Sequence, residues 1–85
     1  MESRHEATLT NRLEAAIDIG YAHLSWGELY RWYDTKKIAA GTYRDLAKRW
    51  KEVSGGKLGE LKRIECQDGI MILPETYIKP VFIEE

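Results

Sequence analysis

The sequence predicts a mainly α protein with a small β-hairpin: a three-helix core followed by an antiparallel pair of strands. Through three segments up to residue 53, apolar residues recur every three or four positions, the period of a helix face. After Ser54-Gly55-Gly56 the period drops to two, on either side of Asp68-Gly69. That dipeptide suits a two-residue turn between strands.

The first helix is expected from about Ser3 to Tyr21, with Leu9, Leu13, Ile17 and Tyr21, joined by Ala16 and Gly20, along one side. Ser3 and Glu6 have the spacing of a capping box. A second box, Ser25 with Glu28, opens helix two, whose expected buried side is Trp26, Leu29, Tyr30 and Tyr33. Its end is expected near Lys36 or Lys37, where cations suit the negative end of the helix dipole. Trp32 falls beside that apolar line and is expected to be partly exposed.

Helix three has the clearest pattern. Tyr43, Leu46, Ala47, Trp50 and Val53 form one apolar stripe, while Arg44, Lys48 and Lys51 lie opposite and Arg49 on a flank. Its start falls between Ala39 and Thr42, because Thr42 with Asp45 resembles a capping box and an earlier start with Gly41 in the first turn fits equally. Gly55-Gly56 stops it. A turn at Asp68-Gly69 then sets Cys66 opposite Met71 and Ile64 opposite Leu73, making those four the inward face of the hairpin. Pro74 ends the second strand, and Pro80 confines Tyr77 to Ile83 to an edge strand or an arm. The expected core is Leu13, Ile17, Leu29, Tyr33, Leu46, Trp50, Ile64 and Leu73.

Eighty-five residues at 44% hydrophobic and 32% charged suit a single soluble domain across residues 1–85, with an extended C-terminal arm at 75–85. No apolar run approaches the ~20 residues that span a bilayer, and Met1 to His5 is polar where a secretory signal would be apolar. A cytoplasmic protein without membrane contact is therefore expected. Cys66, His5 and His23 have no metal-site spacing, so no cofactor or metal is implied. The serines Ser3, Ser25 and Ser54 serve as caps or linkers, and Gly55-Gly56-Lys57-Leu58-Gly59 lacks the spacing of a phosphate loop. The chain reads as non-enzymatic.

Charge is the functional signal. Residues 31–63 hold ten cations against four acids (+6), residues 1–30 two against five (−3), and residues 64–85 one against five (−4). A net charge of −1 thus conceals a basic centre interleaved with Trp32, Tyr33, Tyr43 and Trp50. Such a block marks a surface for an anionic partner, most often nucleic acid.

Three helices, a basic third helix and a following hairpin resemble the winged-helix variety of helix-turn-helix domain. Ile38-Ala39-Ala40-Gly41-Thr42-Tyr43-Arg44-Asp45-Leu46 is similar to that family's turn and recognition-helix entry, and the likeness covers roughly residues 9–73. The resemblance implies a third helix in the major groove and a hairpin, the wing, on the backbone or minor groove. Arg44, Lys48 and Lys51 would then face the groove, Thr42 and Lys37 a phosphate with Lys36 beside them, and Lys62 and Arg63 would be the wing contacts. Lys36-Lys37 at the corner predict a connection longer than the common turn, and Arg44 is the best candidate for a bidentate guanine contact. The function implied is a small DNA-binding regulator or accessory factor of transcription.

The segment from Leu29 to Leu46 also resembles short helical hairpins that mediate protein association. The alternative is therefore a protein-interaction module or inhibitor whose basic face docks an acidic or nucleic-acid-binding partner protein. A homodimer through the first helix or the apolar tail from Tyr77 to Ile83 is expected in either case.

Overall fold

A computed structural model describes residues 1–82. The elements run α1 (Ser3–Asp18), β1 (Ala22–Ser25), α2 (Trp26–Trp32), α3 (Ala40–Ser54), β2 (Leu61–Glu65) and β3 (Gly69–Pro74), with a 3-10 turn at Glu75–Tyr77. The three helices and the hairpin stand in the expected order. The addition is β1, which pairs antiparallel with β3 to make a three-stranded sheet of order β1-β3-β2. Four residues are too few to display a period, and their strand state depends on the ladder that β3 provides.

The helices cover one side of the sheet. Leu9, Leu13 and Ala16 of α1, Leu29 and Trp32 of α2, and Leu46 and Trp50 of α3 meet Ala22, Leu24, Ile70 and Ile72 of the sheet in one buried cluster. Ile17 and Tyr33 are half-buried against it. Ser25 and Glu28 form the expected capping box, with both reciprocal bonds present. The Glu28 carboxylate also accepts from both Arg12 guanidinium nitrogens, at 3.0 and 2.7 Å, tying α2 to α1. The Arg12 hydrogen bond holds Glu28 below its ordinary value of 4.5 despite partial burial. A carboxyl depressed in the folded state contributes stability above its unfolded pKa and loses that contribution as pH falls through the folded one. Glu28→Gln should consequently flatten the acid side of the stability curve below about pH 4.5, read by thermal melts from neutral pH downward.

Several local readings change. The first N-cap is Glu2, not Ser3, and no side chain caps the helix there; the Glu2 carboxylate is taken by Arg4 and His5. α1 stops at Asp18 because Gly20, at φ +107°, reverses the chain into β1. α2 stops at Trp32, not at Lys36 or Lys37. Asp34 adopts the left-handed conformation at φ +48°, and the Thr35 N–H closes onto the Tyr30 carbonyl at 3.1 Å, a helix-terminating Schellman bond. Of α2's expected buried side, Tyr30 is exposed, whereas Trp32 is buried at 3% exposure. α3 takes the earlier of its two starts, at Ala40, and Ala47 of the predicted stripe is exposed.

The hairpin departs most. Its pairs are Lys62 with Leu73, Ile64 with Met71 and Glu65 with Ile70, two residues out of the expected register. Asp68-Gly69 is not the turn centre. Cys66 donates its N–H to the Gly69 carbonyl at 2.8 Å, so Gln67 and Asp68 occupy the tip, and neither has the positive φ of a type I′ turn. The face holding Ile70, Ile72 and Pro74 is the buried one. Ile64, expected in the core, is 53% exposed, and Leu73 is only half-buried.

Gly69 serves a different purpose from the one its sequence context implies. It sits opposite Ser25, and a Cβ there would overlap the Leu24 carbonyl oxygen and lie 2.7 Å from the Ser25 Cα. Gly69→Ala must part β1 from β3. Urea unfolding should show a loss near the upper end of the ~1–3 kcal/mol typical of overpacking, and an unchanged midpoint would show that β1 can shift freely.

Pro74 ends β3 as expected. The tail does not form a third hairpin strand among its described residues. Tyr77 ends the 3-10 turn, its hydroxyl donates to the Ile17 carbonyl at 3.1 Å, and Val81 and Phe82 are exposed. Ile83, the last residue of the expected arm strand, lies outside the described residues.

Candidate nucleic-acid interface

Eight of the ten cations of residues 31–63 fall into two groups, one free and one engaged. The other two, Arg31 on α2 and Lys57 after α3, are exposed, and neither has an ion pair among the described residues. On α3, Arg44, Lys48 and Lys51 follow a spacing of four and three residues and are all exposed. Exposed Gly41, Ala47 and Glu52 accompany them, two small residues and one acid. Lys36 and Lys37 occupy the loop between α2 and α3 and are exposed as well. Thr35 shapes that loop: its hydroxyl donates to the Lys37 carbonyl at 2.9 Å and accepts the Lys37 N–H at 3.3 Å. Among the described residues none of these five cations is within ion-pair distance of an acid.

The second group is engaged internally. Arg49 donates through Nε to Asp45 at 2.7 Å, and the Tyr33 hydroxyl donates to the same Asp45 oxygen at 2.7 Å. Partial burial works against the Asp45 carboxylate, but the Arg49 and Tyr33 hydrogen bonds outweigh it and hold its pKa below the ordinary value. Burial, then the Asp45 hydrogen bond, push the Tyr33 phenol upward. This cluster joins the end of α2 to α3 and so fixes the helix that carries the exposed cations.

The two hairpin cations are likewise occupied. Lys62 donates to Glu60 at 3.1 Å, and that hydrogen bond raises its pKa. The Arg63 guanidinium lies 3.5 Å from the centroid of the Tyr43 ring and 3.9 Å from Glu65. The hairpin tip is fastened to the start of α2: Trp26 donates its backbone N–H to the Asp68 carbonyl at 3.0 Å and its indole N–H to the Gln67 carbonyl at 3.2 Å. His23 lies 3.1 Å from the Asp68 carboxylate. The tip therefore offers an acid and an amide, held against the body, instead of free cations.

Thr42 is corrected outright. Its side chain is buried, at 9% exposure, on the inward side of α3 beside Leu46, and it cannot reach a phosphate. The expected set thus falls into three parts: Lys36, Lys37, Arg44, Lys48 and Lys51 exposed and unpaired, Lys62 and Arg63 exposed to differing degrees but engaged, and Thr42 inside.

One hollow gave no sequence signal. An open cleft of about 840 Å³ lies between the start of α1, the end of α2 and α3, with Arg4, His5, Arg31, Trp32, Tyr33 and Arg49 in its lining. Its residues come from three separated segments, which no local pattern could link. Arg49 and Tyr33 are spent on Asp45, and Arg4 and His5 on Glu2. Among the described residues no cluster of His, Cys, Asp and Glu is arranged to hold a metal ion, and no helix is long and apolar enough to cross a membrane. Comparison of the chain with known protein families, with curated proteins and with solved structures finds no match in any of the three.

Proposed function

We propose that the chain is a small non-catalytic DNA-binding protein of winged-helix type, a regulator or accessory factor that meets duplex DNA through α3 and the loop before it. The observation that carries this reading is the set of five exposed cations without acidic partners: Lys36, Lys37, Arg44, Lys48 and Lys51. Lysines on an ordinary solvated helix face are commonly interspersed with acids at four-residue spacing. On this face Asp45 is turned to Arg49 and Tyr33, and exposed Glu52, four residues after Lys48, stands outside ion-pair distance of the cations. The order of the helices and the hairpin supports the winged-helix assignment.

In this reading α3 lies along the major groove, and Lys36 and Lys37 meet phosphates at its entry. Of the five cations Arg44 carries the guanidinium, the other four being lysines, and it is assigned the base contact, a bidentate bond to guanine. The hairpin has a smaller role than the resemblance implies, because Lys62 and Arg63 are engaged and the tip is tied to Trp26.

The test is binding of labelled random duplex at two salt concentrations. Affinity should fall steeply with salt, and replacing Lys36 and Lys37 with Gln should flatten the log K against log salt plot by about 1.8, at ~0.9 per phosphate contact, without altering sequence preference. No binding at low salt would remove the DNA reading. The second reading, a module or inhibitor that docks a partner protein, is favoured by exposed Ile78, Val81 and Phe82 in the tail. It predicts a protein complex lost on reversing the same five charges.

A further inference from the structure

Among the described residues β2 presents an unpaired edge. In the sheet order β1-β3-β2, β3 lies on one side of β2 and no described strand lies on the other. Cys66 and Gly69 form a hydrogen-bonded pair at the tip, and the alternation of an antiparallel ladder makes Ile64 with Met71 and Lys62 with Leu73 hydrogen-bonded pairs too. The same parity follows from the other side, where Trp26 bonds to Asp68 and so assigns the even-numbered residues of β3 to β1. The backbone N–H and C=O of Arg63 and Glu65 consequently project away from β3, and neither residue takes a backbone partner outside the hairpin among the described residues. Arg63, Ile64 and Glu65 are all exposed.

We propose that two copies of this chain associate edge to edge, β2 against β2, across a two-fold axis perpendicular to the sheet. Such an axis keeps inner side chains with inner and outer with outer, so the hydrogen-bonded pairs must join odd-numbered residues of the two strands. Three registers satisfy this near the strand centre. One centred on Arg63 sets Arg63 against Arg63 of the second copy, and one centred on Glu65 sets two carboxylates together; both place like charges opposite each other. The register centred on Ile64 sets Arg63 opposite Glu65 of the second copy, twice by symmetry, and brings the two Ile64 side chains together on the axis.

That register answers three features at once. It satisfies the outward backbone groups of Arg63 and Glu65. It covers Ile64, which is 53% exposed on the outer face where a core position had been expected. It also gives Arg63 and Glu65 a directly opposite partner, whereas within one chain they stand at 3.9 Å. The Tyr43 ring holds the Arg63 guanidinium on the inner side of the sheet, the side on which Glu65 of the second copy would stand. Edges are protected against pairing by short length, by charges (Lys above all, or charges turned inward), by a proline or by a bulge, and charges block a partner strand when like charges fall opposite each other. Lys62-Arg63-Ile64-Glu65 instead carries opposite charges two residues apart around an apolar residue, which is self-complementary when the strand is reversed. This association is independent of the DNA reading.

Sedimentation equilibrium on the full chain tests it, with Arg63→Glu, Glu65→Arg and the double variant. Wild type should show a monomer–dimer equilibrium. Each single reversal places like charges opposite each other twice and should weaken the dimer by roughly tenfold or more. The double variant should restore it, and an equimolar mixture of the two single variants should form a heterodimer that neither forms with itself. A monomer at every concentration would overturn the proposal, as would a dimer indifferent to the reversals. If circular dichroism shows that a reversal costs the fold, Arg63→Gln and Glu65→Gln carry the same comparison: each should weaken the dimer, and an unchanged equilibrium would overturn it.

Discussion

Trp50→Ala is expected to cost about 3–5 kcal/mol, the range for emptying a large buried aromatic site. The ring is 2% exposed and belongs to the single cluster in which α1, α2, α3 and the sheet meet. Its indole N–H also donates to the Gly59 carbonyl at 3.0 Å, fixing the segment between α3 and β2. The substitution therefore removes packing and leaves that carbonyl without its partner. For a domain of this size the loss is a large part of the total stability of ~5–15 kcal/mol. Urea unfolding of wild type, Trp50→Phe and Trp50→Ala separates the two contributions, since Phe keeps most of the packing and loses the hydrogen bond. A cost below about 1 kcal/mol for Trp50→Ala would mean that the ring does not sit in the core.

The largest functional effect is expected from replacing Arg44, Lys48 and Lys51 together with Gln. Lys48 and Lys51 as phosphate contacts contribute a slope of about 1.8 in log K against log salt. The lost base contact of Arg44 costs a further ~1–3 kcal/mol, so affinity for the favoured duplex near ~0.1 M salt should fall by roughly 10²–10⁴. All three side chains are exposed and unpaired, so the melting profile should barely move, within about 0.5 kcal/mol per site. That contrast separates loss of an interface from loss of the fold. Arg44→Lys gives a finer reading: it keeps the charge and the salt slope but removes the planar fork, costing ~1–3 kcal/mol of preference for the favoured sequence. A triple variant that binds duplex as wild type does would take α3 out of the interface.

Much of the helical layer was legible in the sequence, because a helix face is a local property. The stripe Leu46, Trp50 and Val53, the Ser25/Glu28 box and the glycine stop after Ser54 each require only residues within a few positions of one another. Helix ends were less legible. Asp34 at φ +48° ends α2 in a conformation usually reserved for glycine, so Lys36 and Lys37 belong to the loop and not to the helix.

The sheet shows why local pattern has a limit. Met71 and Leu73 alternate with Ile70 and Ile72, so β3 is apolar on both faces and its sequence does not say which one turns inward. β1 decides it. By pairing with β3 and abutting Gly69, it holds the hairpin in a register that buries Ile70 and Ile72 and leaves Ile64 outside. The Asp68-Gly69 dipeptide looked like turn chemistry, yet its glycine answers the close approach of the Leu24 carbonyl. The candidate site divides along the same line. Composition and spacing alone established a basic centre and the outward side of α3, since charge count and helical period are properties of the chain. Only tertiary structure decided which cations stay free, because Arg63 meets Tyr43 across the gap between sheet and helix, and Thr42 enters the core through the rotation that packing sets on α3.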